Sequence, residues 1–278
     1  MIKITDEEIR RLGDFLYRRT GMVYSVSKRY YIERRIADRA NATASPSFER
    51  YFAKLRIDAE GEIEKFVNAF TVNETYFNRE DHQFRCLTKD LLRERIAAGY
   101  GKDQLRLWSV PCATGEEPYS IAMWLLDKWP LVDAYSIEIC GSDIDTEALA
   151  AAKRGFYGKR ALMRLPAQVI DRYFHQEADD RWRLIDELRE SVQFSSVNLI
   201  ESNETRHHGQ FDVIFCRNVL IYFDDASRRI AADNLYESLL PGGYICLGHT
   251  ESMSRISPLF EIRRFEDGIV YQKPEVGR

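Results

Sequence analysis

Apolar residues recur three and four positions apart through the first part of the chain. Ile9, Leu12 and Leu16 form one such stripe, and Phe48, Tyr51, Phe52 and Leu55 form another. That spacing places apolar side chains on one face of a helix. Thr5 with Glu8 makes a capping-box pair ahead of the first stripe. The polar run 41–46 reads as a loop, and Ser47 as the start of the next helix. Residues 1 to about 85 are therefore expected to be helical.

From Leu105 onward the period changes. Short apolar runs predict strands at 105–110, 136–141, 192–196, 211–216, 244–248, 260–265 and 269–272. Helical patterns fall between them at 117–128, 146–154 and 225–240. Strands alternating with helices imply a mostly parallel sheet. Glu266-Asp267-Gly268 between the last two runs is a hairpin signal. The stretch 162–190 keeps neither period, so it is expected to be a small inserted subdomain, with a short hairpin near Asp179-Asp180. The expected organisation is an all-α N-terminal domain at 1–80 and an α/β domain at 81–278. A parallel sheet closed by an antiparallel hairpin is the layout of the seven-stranded, Rossmann-like methyltransferase sheet.

Composition narrows the class. The chain has 278 residues, 45% of them hydrophobic, enough for a packed core. No apolar run approaches the roughly 18 residues of a membrane span. The first residues lack the basic-then-apolar plan of a secretion signal. Cys86, Cys112, Cys140, Cys216 and Cys246 are scattered and contain no CxxC, which points to reduced thiols and a cytoplasmic protein. His82, His175, His207, His208 and His249 have no metal-ligand spacing, and no metal is expected. His207-His208 is read as a solvated pair in a polar loop.

The net charge is -4, but it is unevenly spread. Arg10, Arg11, Arg18, Arg19, Lys28, Arg29, Arg34, Arg35 and Arg39 face only Asp14, Glu33 and Asp38 within that stretch, a local charge of +6. Such a cluster is either a solvated helical face or a docking surface for an acidic partner.

The chemistry gathers in segments that a parallel sheet brings to one edge. Trp108-Ser-Val-Pro-Cys-Ala-Thr-Gly-Glu-Glu-Pro-Tyr-Ser120 runs from a strand through a turn at Gly115 into a helix that opens with two carboxylates. Ligands of open α/β sheets bind at such turns. Phosphate sites there use bare backbone N–H groups and favour an anion. Glu116 and Glu117 do the opposite and suit a ligand bearing cations and hydroxyls, a description that S-adenosylmethionine meets. Asp143, ending the next strand, is placed to hold a ribose diol, and Asp145 to cap the following helix. Asn198 can both donate to and accept from an adenine edge, or simply serve a turn. Arg217 can pair a carboxylate of the methionine moiety or of an acidic substrate. Tyr222 lines a methyl-transfer channel or is a core aromatic. Thr71-Val-Asn-Glu-Thr-Tyr-Phe-Asn-Arg79 joins the two halves, with Asn73, Thr75 and Arg79 polar among apolar neighbours.

With these motifs in order, the sequence resembles the CheR-type chemotaxis receptor glutamate O-methyltransferases over nearly its whole length. The matching motifs are Asn73-Glu-Thr-Tyr-Phe-Asn-Arg79, Ala113-Thr-Gly-Glu-Glu-Pro-Tyr-Ser120, Ser142-Asp-Ile-Asp-Thr146, Phe194-Ser-Ser-Val-Asn-Leu199 and Cys216-Arg-Asn-Val-Leu-Ile-Tyr-Phe-Asp224. The resemblance implies S-adenosylmethionine as methyl donor and S-adenosylhomocysteine as product. It implies cofactor contacts at Asn73, Thr75, Arg79, Glu117, Asp143, Asn198, Leu199, Arg217 and Asn218. Arg79 and Tyr222 would act beside the methyl group and the incoming substrate, with Phe77 and Phe223 stripping water from it. The implied substrate is a glutamate on the cytoplasmic helical bundle of a chemoreceptor, faced by the basic helices.

Three features depart from the family pattern. Asn78 stands where a second aromatic is common, Pro111-Cys112 where small residues are frequent, and the stretch 173–194 is short. Members that tether to a receptor's C-terminal pentapeptide carry a longer loop there, so no such tether is expected. A monomer that neither binds nucleic acid nor inserts into membrane is also expected. Adenine N-methylases of this fold carry a Pro-Pro-aromatic motif that this chain lacks. The Pro-Cys dipeptide of cytosine C5 enzymes falls here in the cofactor turn. The alternatives are receptor methylation in a pathway unrelated to motility and a cofactor-binding regulator without turnover.

Overall fold

The computed structural model describes residues 4–101, 104–178 and 180–275. The chain divides into two compact units, Met1–Val72 with Tyr222–Ser227, and Asn73–Ile221 with Arg228–Arg278. The first division thus falls after Val72, inside the stretch assigned by sequence to the helical domain.

The helical unit contains Asp6–Thr20, Arg29–Ala42, Phe48–Arg56 and Glu62–Phe70. Thr5 and Glu8 form the reciprocal capping box, and Gly21 closes the first helix. Ile9, Leu12 and Leu16 are buried, as are Phe48, Tyr51, Phe52 and Leu55, so both apolar stripes are core faces. Glu62 is buried among them and takes Arg39 in a two-pronged pair, with the Tyr51 hydroxyl donating to it at 2.9 Å. Arg39 therefore stabilises the core of this unit and is not part of a free basic face. Helix is broken before residue 85: residues 71–76 have no regular structure, the chain turns at 77–81, and helix resumes at His82–Cys86.

The strands in chain order are β1 (Leu105–Ser109), β2 (Ile137–Asp143), β3 (Phe156–Gly158), β4 (Phe174–Ala178), β5 (Arg181–Leu184), β6 (Val192–Ser196), β7 (Phe211–Cys216), β8 (Leu239–Leu247), β9 (Glu261–Phe265) and β10 (Gly268–Gln272). Seven of them form one sheet in the order β6-β2-β1-β7-β8-β10-β9. The five from β6 to β8 are parallel and the β9–β10 hairpin is antiparallel. Chain order runs outward from β1 through β2 to β6 on one side and from β7 to β8 on the other, with the hairpin beyond β8. The crevice between the ends of β1 and β7 is thus the switch point, where such sheets bind ligands. Trp108 of β1 is fully buried, and its ring stacks on Phe211 of β7 at 4.8 Å. All five cysteines are free and buried.

Strand β8 begins five residues before the expected 244. Pro241-Gly242-Gly243 reads as a breaker, but the chain passes through it with a register shift against β7 and Gly242 at φ 70°. The insert begins earlier than expected, since β3, β5 and β4 make a three-stranded antiparallel sheet. Of the hairpin pair Asp179-Asp180, Asp180 turns at φ 56° and Asp179 lies outside the described residues.

Candidate functional site

The ends of β1 and β2 are stitched to their neighbours by backbone bonds. Val110 donates to the Phe215 carbonyl at 2.8 Å and Cys112 to that of Ser142 at 2.8 Å. Gly115 then enters the helix Glu116–Lys128 at φ 92°, where a Cβ would lie 2.9 Å from Ala152 and 3.0 Å from Tyr119. Glycine is needed here for the left-handed backbone and this packing. Glu116 turns inward: its carboxylate accepts from the Thr114 hydroxyl at 2.6 Å, and burial raises its pKa. Contrary to the expectation from sequence, it does not present a bare charge to a ligand. Glu117 accepts from the Ser109 hydroxyl at 2.7 Å and from Arg217 Nη1 at 2.7 Å. Burial raises its pKa, and Arg217 opposes the rise.

Arg217 follows β7 directly across the switch point. Its Nη2 donates to the Arg79 carbonyl at 2.7 Å and lies 3.2 Å from a Glu80 oxygen. Its terminal nitrogens are thus engaged by Glu117, Glu80 and a backbone carbonyl, while Nε is buried without a partner. Asn218 sits at φ 60°, and the half-buried Glu251 holds that turn by accepting from the backbone N–H groups of Asn218, Leu220 and Gly248. Asp143 ends β2 almost fully buried. Ala113 N donates to one of its oxygens at 2.8 Å and Asp145 N to the other at 2.9 Å. Burial nevertheless pushes its carboxyl up to about 6. Asp145 caps the helix Thr146–Arg154, as its spacing predicts, and also accepts from Asn73 Nδ2 at 2.7 Å.

The similarity of the chain to known proteins accords with this geometry. Residues 73–269 match the CheR methyltransferase, SAM binding domain, and residues 7–71 match the CheR methyltransferase, all-alpha domain. The chain belongs to the CheR methyltransferase family. A relative from Vibrio cholerae, named chemotaxis protein methyltransferase 2, is 45% identical over 278 residues, all of this chain and 96% of that one. The chemotaxis protein methyltransferase of Salmonella typhimurium is 35% identical, over 94% of this chain and 89% of that one. Among solved structures, the N-methyltransferase NodS from Bradyrhizobium japonicum WM9 with S-adenosylhomocysteine aligns at TM-score 0.40 and 15% identity, over 75% of this chain and 93% of that one. The family match makes this protein an S-adenosylmethionine-dependent methyltransferase.

The residues present suit that cofactor. The switch-point edge offers carboxylates as acceptors for hydroxyl and ammonium donors, and acids outnumber the single guanidinium there, a donor set that would repel phosphate. Asn73, Glu117, Asp143, Arg217, Asn218 and the backbone of Arg79 are joined to that edge by the bonds above. Asn198 and Leu199 follow β6 beside it, with Val197 N donating to the Asp143 carbonyl at 3.1 Å. The Asn198 amide oxygen accepts from Ile200 N at 3.3 Å, so its turn role is real, and the Leu199 carbonyl accepts from Asn234 at 2.8 Å. Thr75 with Asn73 lines a cleft of about 420 Å³ bounded by Gly158 and Arg160. The Arg79 side chain donates to the Glu74 carbonyl at 2.9 Å.

Phe77 is fully buried against Tyr157 and Phe174, so it lines no channel. Tyr222 and Phe223 belong to the helical unit, where Val23 N donates to the Tyr222 carbonyl at 2.9 Å and Phe223 bridges Met22. His208 is half-buried, 6.0 Å from the Trp108 ring, unlike the exposed His207. Glu80, Ser109 and Glu251 join the site without having been expected from sequence. Glu80 adjoins a motif arginine, but nothing local marks Ser109 or Glu251 as partners of groups far along the chain. Among the described residues no group of His, Cys, Asp and Glu could hold a metal ion, and no helix is long and apolar enough to cross a membrane.

Proposed function

We propose that this chain methylates glutamate side-chain carboxylates on the cytoplasmic helical bundle of chemoreceptors, forming glutamyl methyl esters and S-adenosylhomocysteine. The observation that carries this reading is the end-to-end likeness to a relative named a chemotaxis protein methyltransferase. Charge adds support: Arg10, Arg11, Arg18, Lys28 and Arg34 are exposed on the helical unit, and positive charge there suits an acidic bundle.

S-adenosylmethionine, when bound, supplies a methyl group on a sulfonium, a good leaving group. The chain's residues hold and orient. Asp143 takes the ribose diol, and Asn198 and Leu199 the adenine. Glu117, Arg217, Asn218, Asn73 and Thr75 complete the cofactor site. Arg79 also orients the substrate carboxylate, and Tyr222 narrows its path. A solvated glutamate side chain titrates near pH of about 4.3, so it is ionised at neutral pH and no general base is required. Catalysis is then chiefly positioning. The protein acts in the cytoplasm as a monomer and without a pentapeptide tether.

The test is transfer of tritiated methyl to a receptor cytoplasmic fragment, followed by alkaline hydrolysis. Label released as volatile methanol is expected, since base cleaves a carboxyl methyl ester. Label retained through base would reject the glutamate reading. Removing the receptor tail should leave the rate unchanged; a large loss would reject the untethered reading. Arg79→Ala should abolish turnover while leaving folding intact, and full activity would remove Arg79 from the mechanism.

A further inference from the structure

The turn that presents Arg79 is held in an uncommon conformation. Asn78 and Glu80, on either side of it, both sit at φ 56°. Non-glycine residues in this region cost free energy and persist only where surrounding contacts impose them. Here the contacts are specific. Phe77 N donates to the Ala161 carbonyl at 3.0 Å and Asn78 N to the Ser120 hydroxyl at 3.0 Å. Beyond Arg79 the anchor is Glu80. One of its oxygens faces Arg217 Nη2 at 3.2 Å and accepts from Gln83 Nε2 at 3.2 Å, and the other lies 3.1 Å from His249 Nδ1. Gln83 in turn donates to the Leu247 carbonyl at the end of β8, at 2.8 Å. The same Arg217 nitrogen donates to the Arg79 carbonyl.

From this arrangement we infer that Glu80 is a positioning residue for methyl transfer. It fixes the Arg79 turn, and with it the Arg217–Glu117 pair, against the ends of β7 and β8. Glu80 acts through Arg217 rather than on the reacting atoms. Arg217 is nearly buried and bridges two carboxylates from segments far apart in sequence. Removing Glu80 would leave its guanidinium with Glu117 and the Arg79 carbonyl, free to swing about the Glu117 contact. The turn would lose the bond that opposes its strained backbone. His249 is the exposed member and Gln83 the buried member of the same clamp, so the anchor reaches the sheet from two directions. This inference rests on the reading that Arg79 acts at the substrate.

The test compares Glu80→Ala, Glu80→Gln and Arg79→Ala in the intact protein, by steady-state methyl transfer to a receptor cytoplasmic fragment, S-adenosylhomocysteine calorimetry and thermal melting. Glu80→Gln keeps an acceptor for Arg217 and most of the shape. Glu80→Ala should lower kcat about tenfold or more, since a misplacement near 1 Å can cost about a hundredfold. The Gln variant should recover most of that loss, and in the Ala variant S-adenosylhomocysteine affinity should fall by a smaller factor than kcat, because Glu117 keeps Ser109. Glu80→Ala with kcat within twofold of the parent would overturn the inference, as would a Gln variant as impaired as the Ala variant. If Arg79→Ala retains activity, the Arg79 reading itself fails; if only the Glu80 variants retain it, the positioning role alone fails.

Discussion

Asp143→Asn separates charge from shape at the position assigned to the ribose. Asp143 is 4% exposed, and its carboxylate oxygens accept backbone N–H groups, among them Ala113 at 2.8 Å and Asp145 at 2.9 Å. Burial lifts its pKa from 3.8 to about 6, with the backbone bonds opposing. At about 1.4 kcal/mol per unit, ionising this group costs the folded state roughly 3 kcal/mol. The folded protein binds the proton more tightly than the unfolded chain does. The penalty is therefore absent below pH of about 4, grows between about 4 and 6, and is complete above about 6. Asparagine removes the penalty, but its amide nitrogen must face one of these N–H donors. The unsatisfied donor costs about 1–3 kcal/mol. The two effects nearly offset, so the melting temperature at neutral pH should move by only a few degrees. Cofactor binding should not be spared, because a hydroxyl bonded to a carboxylate contributes about 1.5–3 kcal/mol. Losing one such bond weakens binding about 10- to 100-fold. The assay is calorimetric titration with S-adenosylmethionine between pH 5 and 7.5. Near pH 5 about one-tenth of Asp143 is ionised, so the parent's Kd should rise about tenfold from its value at pH 7.5. The pKa values of Glu116, Glu117 and Glu251 are also raised by burial, so the variant is the control: the pH dependence its Kd keeps belongs to those groups, and the parent's should exceed it about tenfold. Parent affinity independent of pH, with variant affinity within threefold of it, would refute the assignment.

Two further substitutions probe what holds the edge of the sheet. Glu251→Ala strips the acceptor from the N–H groups of Asn218, Leu220 and Gly248, and should destabilise by about 3 kcal/mol or more, with Glu251→Gln milder; scanning calorimetry reads the shift, and one under a degree would mean the turn stands without it. Asp212→Ala leaves Arg95, 1% exposed, without its carboxylate partner, and should cost about 3–5 kcal/mol in urea denaturation; a loss under about 1 kcal/mol would show that solvent reaches the site.

How far each element can be read depends on where its determinants lie. Val192–Ser196, Phe211–Cys216 and Thr146–Arg154 have the bounds expected, because an apolar run or stripe, flanked by polar residues, is complete within each. Strand β8 is longer than its apolar run predicts, because Pro241-Gly242-Gly243 looks like a turn. The strand accommodates it only because β7 allows a bulge, and nothing in residues 239–247 reports that. Strand β4 is hidden for another reason: His175 to Ala178 are exposed, so no alternation marks them. At the site, Asp143 and Asp145 are legible from their place at a strand end. The inward turn of Glu116 is not. Two carboxylates opening a helix look alike in sequence, and only tertiary packing decides that Glu116 meets Thr114 while Glu117 meets Ser109 and Arg217.

The switch-point edge is costly to build, since Glu80, Glu117 and Asp143 are largely withdrawn from water and only Glu80 and Glu117 share the Arg217 guanidinium. Each is nonetheless held by protein groups alone: Glu117 by Ser109 and Arg217, Asp143 by backbone N–H groups, Glu80 by Arg217 and Gln83. Donors and acceptors fixed in advance in a dry site interact more strongly than the same groups in water and need little reorganisation during reaction. Burial raises the pKa of Glu117 and Asp143, so their charges lower stability, and in the proposed role the ordered set favours the cofactor. The substitution of Asp143 measures that exchange directly, because one atom change relieves the charge penalty and removes the acceptor together.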